Sequence, residues 1–141
     1  MINSRKIEDL HPRVASLCQT FIQKCAEEGI DVLITSTYRD AESQDALYAQ
    51  GRTLKGGIVT NAKAGQSWHN YRLAFDFVPI VDGKPRWNDL KKFTRCGEIA
   101  ESVGLEWAGR WKSFKELAHC QYTGGHTLAY FQSGKTLGDA A

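Results

Sequence analysis

The sequence predicts an α+β fold, a single compact domain with a small antiparallel sheet flanked by helices. Three observations carry the fold class. Apolar residues recur at three- and four-residue spacing in separated segments, and short β-branched or aliphatic stretches run between them. Asp82-Gly83 is a strong hairpin signal that folds one strand back on its neighbour. The elements then follow as helix, strand, helix, strands, helix, strands, which suits an α+β arrangement.

Taken in order, residues 7–28 place Leu10, Val14, Leu17, Cys18, Phe21 and Cys25 on one helical face, and Gly29 stops the helix. Residues 31–37 are β-branched and aliphatic, hence a strand. A second helix follows Asp40, with Ala46, Leu47 and Ala49 inward, and ends at Gly51. Residues 52–66 hold Gly56, Gly57 and Gly65 with little apolar periodicity, a long loop of the kind that is commonly functional. Residues 72–80 read as a buried strand, and Asp82-Gly83 turns it into a short partner. Asn88 is the expected cap of a helix reaching about residue 103, with Leu90, Phe93, Ile99, Ala100 and Val103 on its inner face and Gly104 as its stop. Residues 105–107 and 118–122 suit further short strands, and residues 127–132 a small closing helix.

The 141 residues fit one domain, 1–141, with about two-thirds of its unfolded surface buried on folding. A net charge of +2 without a Lys/Arg stripe argues against nucleic acid. No apolar run approaches the roughly 20 residues of a membrane span. The N-terminus leads into an amphipathic helix instead of a signal-peptide core. Cys18 and Cys25 stand about 10.5 Å apart along one helix, too far for a disulfide. Cys96 and Cys120 lack a CxxC partner, so four buried, reduced thiols are expected.

Four residues read as a zinc-hydrolase site. His69 and Asp76 stand seven residues apart, and Glu116 and His119 follow some forty residues later. Two imidazoles and one carboxylate would leave one of zinc's four positions open for water, with Glu116 as the proton acceptor. Each residue alone has a plainer reading. Asp76 could be a core aspartate paired with Arg72, His119 a satisfied core histidine, and Glu116 a solvated loop carboxylate. On a strand starting near residue 72, Arg72, Ala74 and Asp76 would share one face, with His69 in the turn before it. His11 reads as a surface residue, and His126 sits in a glycine-flanked turn with the cleft as its alternative.

These motifs resemble a family. Ser67-x-His69, Ala74-x-Asp76 and Glu116-x-x-His119 are similar to the zinc peptidases that cut peptidoglycan stem peptides. The family includes D-alanyl-D-alanine carboxypeptidases and the L-alanyl-D-glutamate endopeptidases of phage endolysins. Ser36-Thr37-Tyr38-Arg39, the segment from Gln44 to Thr53 and the segment from Gly104 to Phe114 resemble the endolysin branch. The resemblance implies that His69, Asp76 and His119 bind Zn2+ and that Glu116 is the catalytic base. It also implies that Arg39 faces the substrate as a clamp, with Gln44 and Ser67 orienting substrate or ligands. The chain departs from the pattern where the family has Gly and this sequence has Arg72, at Ala118 in place of Pro, and at Ala108-Gly109 in place of Gly-Gly.

The implied function is hydrolysis of the L-alanyl-D-glutamate bond of peptidoglycan during host lysis, by a monomer without a separate wall-binding domain. Such an enzyme would wait in the host cytoplasm until a separate pore-forming factor releases it. The alternatives are a D-alanyl-D-alanine carboxypeptidase or dipeptidase of wall remodelling, and a non-catalytic zinc-binding module.

Overall fold

The computed structural model describes residues 1–113 and 115–138, so Phe114 and the last three residues lie outside the description. The first helical segment divides in two. Pro12 has no N–H to continue a helix begun at residue 7, so a separate 3-10 turn forms at Ile7–Asp9 and α1 spans Pro12–Glu27. His11 caps α1 by accepting from the Arg13 N–H at 3.1 Å.

The remaining elements are β1 (Asp31–Ser36), α2 (Ala41–Ala49), β2 (Ala74–Val81), β3 (Lys84–Pro85), α3 (Leu90–Ser102), β4 (Glu106–Trp107), β5 (His119–Gln121) and α4 (Leu128–Gln132). Asp82 and Gly83 both take positive φ, the conformation that a two-residue hairpin between twisted strands requires. The cap of α3 is Asp89, not Asn88, because the Asp89 carboxylate reaches the Lys92 N–H. Leu90 then falls on the solvent side, 60% exposed, outside the inner face its spacing suggested. On α2 the buried residues are Ser43 and Gln44. The smaller Ala46 and Ala49 are only half-buried, because the helix packs on a polar site and not on the core.

All pairings in the sheet are antiparallel, in the order β1-β2-β5-β4, with β3 on the far end of β2. The two faces do different work. Phe75 and Phe77 of β2 turn towards α1 and α3, where Phe21 meets them at ring separations of 5.6 and 5.1 Å and Phe93 meets Phe77 at 5.5 Å. Such pairs add about 0.5–1.5 kcal/mol each to the burial of their area. Asp76 lies between the two phenylalanines in sequence and therefore points to the opposite face. Its partner across the ladder is His119.

A β-bulge aligns the third strand with that pair. Ile34 opposes Phe77, but Ser36, not Thr35, opposes Asp76. The extra residue carries Ser36 to the site face, the re-aiming that bulges near functional sites provide. All four cysteines are free and buried. Burial pushes the Cys18 thiol up to about 12.

Candidate metal centre and catalytic cleft

His69 is held by a polar 3-10 turn, Trp68–Tyr71. Ser67 caps it, accepting from the His69 N–H at 3.2 Å, while Asn70 Oδ1 accepts from the Ser67 N–H in return. Asn70 Nδ2 donates to the Arg39 carbonyl at 2.8 Å, and the Arg39 N–H donates to the His69 carbonyl at 3.1 Å. The backbones carrying His69 and Arg39 are thus tied together.

Arg72 closes the turn in a left-handed conformation, φ 65° and ψ 27°. This corrects the expectation that the strand begins at residue 72 and that Arg72 shares a face with Asp76. The strand begins at Ala74. The Arg72 guanidinium lies 3.8 Å over the Tyr38 ring and donates to the Asp9 carbonyl at 2.7 Å. It does not pair with Asp76. A glycine would take this positive φ without strain, whereas an arginine does not.

His69, Asp76 and His119 converge, each offering one ligand atom, with all three atoms within 4.8 Å of one another. His69 Nε2 lies 3.2 Å and His119 Nδ1 3.3 Å from the same oxygen, Asp76 Oδ1. The opposite nitrogen of each ring faces an acceptor: His69 Nδ1 is 2.8 Å from the Thr37 carbonyl, and His119 Nε2 is 2.8 Å from Gln121 Oε1. In a neutral imidazole the outer nitrogens therefore carry the protons, and both inner nitrogens present lone pairs to a carboxylate oxygen. Three acceptors aimed at one point suit a bound cation, and two imidazoles with a carboxylate are a donor set that zinc takes.

Without a cation, the carboxylate instead favours a proton on the His119 ring. Burial opposes charge on Asp76, yet the neighbouring His69 and His119 outweigh it and hold the carboxyl far below the usual carboxylate range. Burial likewise opposes charge on His119, but its hydrogen bond to Asp76 and that carboxylate's charge raise the imidazole above its ordinary value.

The ligand atoms open into a cleft of about 480 Å³ that the loop before Ser67 walls on one side and Trp111 on the other. Glu116 lines it, half-exposed, with Oε2 3.8 Å from His119 Nδ1. Arg39 also lines it, and Nη1 donates to Gln44 Oε1 at 2.9 Å while Nη2 donates to Ser36 Oγ at 3.2 Å. Among the described residues, the Arg39 Nε is buried without a partner. Ser67 is on the cleft wall. Gln44 is not: it is fully buried, with its amide spent on Arg39 and on the Ala62 carbonyl at 2.7 Å. From there it steadies Arg39 and the loop. His126 stands away from the cleft and stacks on Tyr130 at 3.7 Å.

The ring acceptors, the Thr37 carbonyl and Gln121, are not evident from the sequence, although two-residue alternation from His119 points to Gln121. Nor is the part played by Trp107. Its indole N–H donates to the Leu117 carbonyl at 2.8 Å, two residues before His119. A Cβ at Gly97 or Gly109 would run into that indole, so both positions must stay bare.

A family model described as D-alanyl-D-alanine carboxypeptidase matches residues 60–122. The peptidoglycan L-alanyl-D-glutamate endopeptidase CwlK of Bacillus subtilis is 43% identical over 122 residues, covering 80% of this chain and 73% of that protein. The L-alanyl-D-glutamate peptidase of Listeria phage A118 is 35% identical over 102 residues, covering 67% of this chain but 31% of that protein. Among solved structures, the L-Ala D-Glu endopeptidase ChiX of Serratia marcescens superposes with a TM-score of 0.65 at 16% identity, covering 84% of each chain. A vancomycin-resistance D,D-pentapeptidase, VanY, solved with Zn(II), gives 0.61 at 16% identity, covering 91% of this chain and 81% of its own. At such identities the structural likeness speaks for the fold.

Proposed function

The chain belongs to the D-alanyl-D-alanine carboxypeptidase family of peptidases, and on that premise we propose that it is a zinc peptidase hydrolysing the L-alanyl-D-glutamate bond of peptidoglycan stem peptides. One observation carries the reading: three lone pairs meet at the floor of an open cleft, with the Glu116 carboxylate beside them. His69 Nε2, Asp76 Oδ1 and His119 Nδ1 would hold the metal. Zinc bound by these residues would supply a Lewis acid for the scissile carbonyl and would make the attacking water more acidic.

The chain's own groups do the rest. Glu116 takes the proton of the attacking water and returns it to the departing amine of the D-glutamate residue. Arg39 is held over the cleft by Gln44 and Ser36 and presents its fork to the carbonyl oxygen or to a stem-peptide carboxylate. Its partnerless Nε supports this reading, since a buried donor gains most from a new acceptor. Ser67 acts through the turn that carries His69.

The similarity to CwlK and to the phage peptidase supports the scissile bond. The phage source of that relative favours a lytic role, and we propose with it a monomer held in the host cytoplasm until a pore-forming factor releases it. Because CwlK is bacterial, wall remodelling is the second reading. Among the described residues no helix is long and apolar enough to cross a membrane.

Mass spectrometry of purified muropeptides, digested with and without chelator, tests the proposal. Fragments split between L-alanine and D-glutamate, absent under chelation, are the expected result. Loss of terminal D-alanine alone would move the enzyme to the carboxypeptidase branch.

A further inference from the structure

We infer that Gln121 and Glu106 are positioning residues that set which nitrogen His119 turns to the metal. The inference rests on the reading that His119 is a ligand. It begins in the sheet register, where β4 and β5 place Glu106 directly opposite Gln121. Gln121 follows His119 by two residues, so both side chains stand on the site face of β5.

The hydrogen bonds then run in one direction. Gln121 Nε2 donates to Glu106 Oε2 at 2.9 Å, and Gln121 Oε1 faces His119 Nε2 at 2.8 Å. A carboxylate oxygen can only accept, so a flipped amide would set the Gln121 carbonyl against Glu106. Glu106 thereby fixes the amide, and the amide, 4% exposed, fixes the ring. His119 must donate from Nε2, which leaves the Nδ1 lone pair for the cation. Without the acceptor, the ring could carry its proton on Nδ1 and meet the metal with an N–H. The same carboxylate reaches the cleft wall, because Glu106 Oε1 accepts the Trp111 indole N–H at 3.2 Å. Trp111 in turn lies 5.7 Å, ring to ring, from His119. One exposed glutamate thus braces a metal ligand and a wall of the substrate cleft.

The test titrates zinc against a chromophoric chelator and reads the 15N shifts of His119 in the metal-free protein at alkaline pH. Gln121→Met keeps the length and removes the acceptor. It should weaken zinc binding ten- to hundredfold, the usual cost of losing an outer partner of a metal-bound histidine. Its His119 signals should show the proton shared between the nitrogens. Glu106→Gln should weaken binding by a smaller factor, because the amide is then free to flip. The exchange of the two, Glu106→Gln with Gln121→Glu, restores an acceptor facing His119 and a donor behind it, and should recover the affinity lost by Glu106→Gln. A packing role alone predicts no such recovery.

Wild-type zinc affinity in Gln121→Met, or no recovery in the exchange, would overturn the inference. If Gln121→Met does not fold, Glu106→Gln and the exchange, which alter only amide and carboxylate atoms, decide it. His119→Ala in the same titration separates the two levels. If it too binds zinc as wild type does, the ligand reading fails. If it loses zinc while the other variants keep it, only the positioning role fails.

Discussion

Replacing Arg72 by Gly and by Ala measures what the turn carrying His69 costs this chain. At φ 65° an L residue is disfavoured by about 1–2 kcal/mol relative to the right-handed region, and glycine is free of that cost. The arginine offsets it with two contacts. Its stacking on Tyr38 is worth ~0.5–1 kcal/mol at an exposed site. Its hydrogen bond to the Asp9 carbonyl is worth ~0.5–1.5 kcal/mol. Arg72→Ala loses both contacts and keeps the strain, so it should destabilise by ~1–2.5 kcal/mol. Arg72→Gly loses the same contacts but relieves the strain, so it should lie about 1 kcal/mol above the alanine variant and near wild type. That ordering reverses the usual one, in which Gly is the worse residue. Urea unfolding of zinc-saturated protein measures it, with a Tm difference of about 3–4 °C between the variants as a second reading. Saturation matters because bound metal itself adds stability. Both variants should keep zinc, since only the Arg72 backbone N–H, which both retain, bonds to a ligand residue, at the His69 carbonyl. An alanine variant as stable as the glycine variant would refute the reasoning.

Three further outcomes are expected. Glu116→Gln should retain zinc while turnover on muropeptides falls roughly a hundredfold or more, and loss of metal along with activity would recast Glu116 as a ligand. Arg39→Lys should keep fold and zinc but lose much of kcat/KM, with Arg39→Ala worse, because an ammonium cannot reproduce the fork that spans Gln44 and Ser36; wild-type rates in both would make Arg39 peripheral. In chelated protein, His119 is raised in the folded state, so its contribution is complete below about pH 6.5 and is lost as pH rises through the folded value. Asp76 is depressed, so its contribution is present above about pH 4 and is lost as pH falls. Metal-free protein should therefore melt higher at pH 5.5–6 than at pH 8 relative to a His119→Asn control, and zinc should reverse that slope because it needs neutral rings. An unchanged difference between the two proteins across this range would count against the pairing.

Features that depend only on neighbours in the chain were legible in it. The three- and four-residue spacing of Val14, Cys18, Phe21 and Cys25 specified a helix with one buried face, because helical geometry brings such residues together without help from the rest of the chain. Asp82-Gly83 specified a hairpin, because its backbone preferences match the turn. That His69, Asp76 and His119 could share a metal was legible from residue type and spacing. Tertiary structure alone decided how those groups face one another. The bulge that turns Ser36 to the site and the Glu106–Gln121 pair both depend on ladder register between segments far apart in sequence. The left-handed Arg72 was hidden because no local preference calls for it; contacts with Tyr38 and Asp9 hold it there. The full burial of Gln44 against Arg39 was likewise not legible, since burial depends on what packs above a helix. Periodicity reports which way a side chain leaves its own backbone, whereas its partner is chosen by the whole fold.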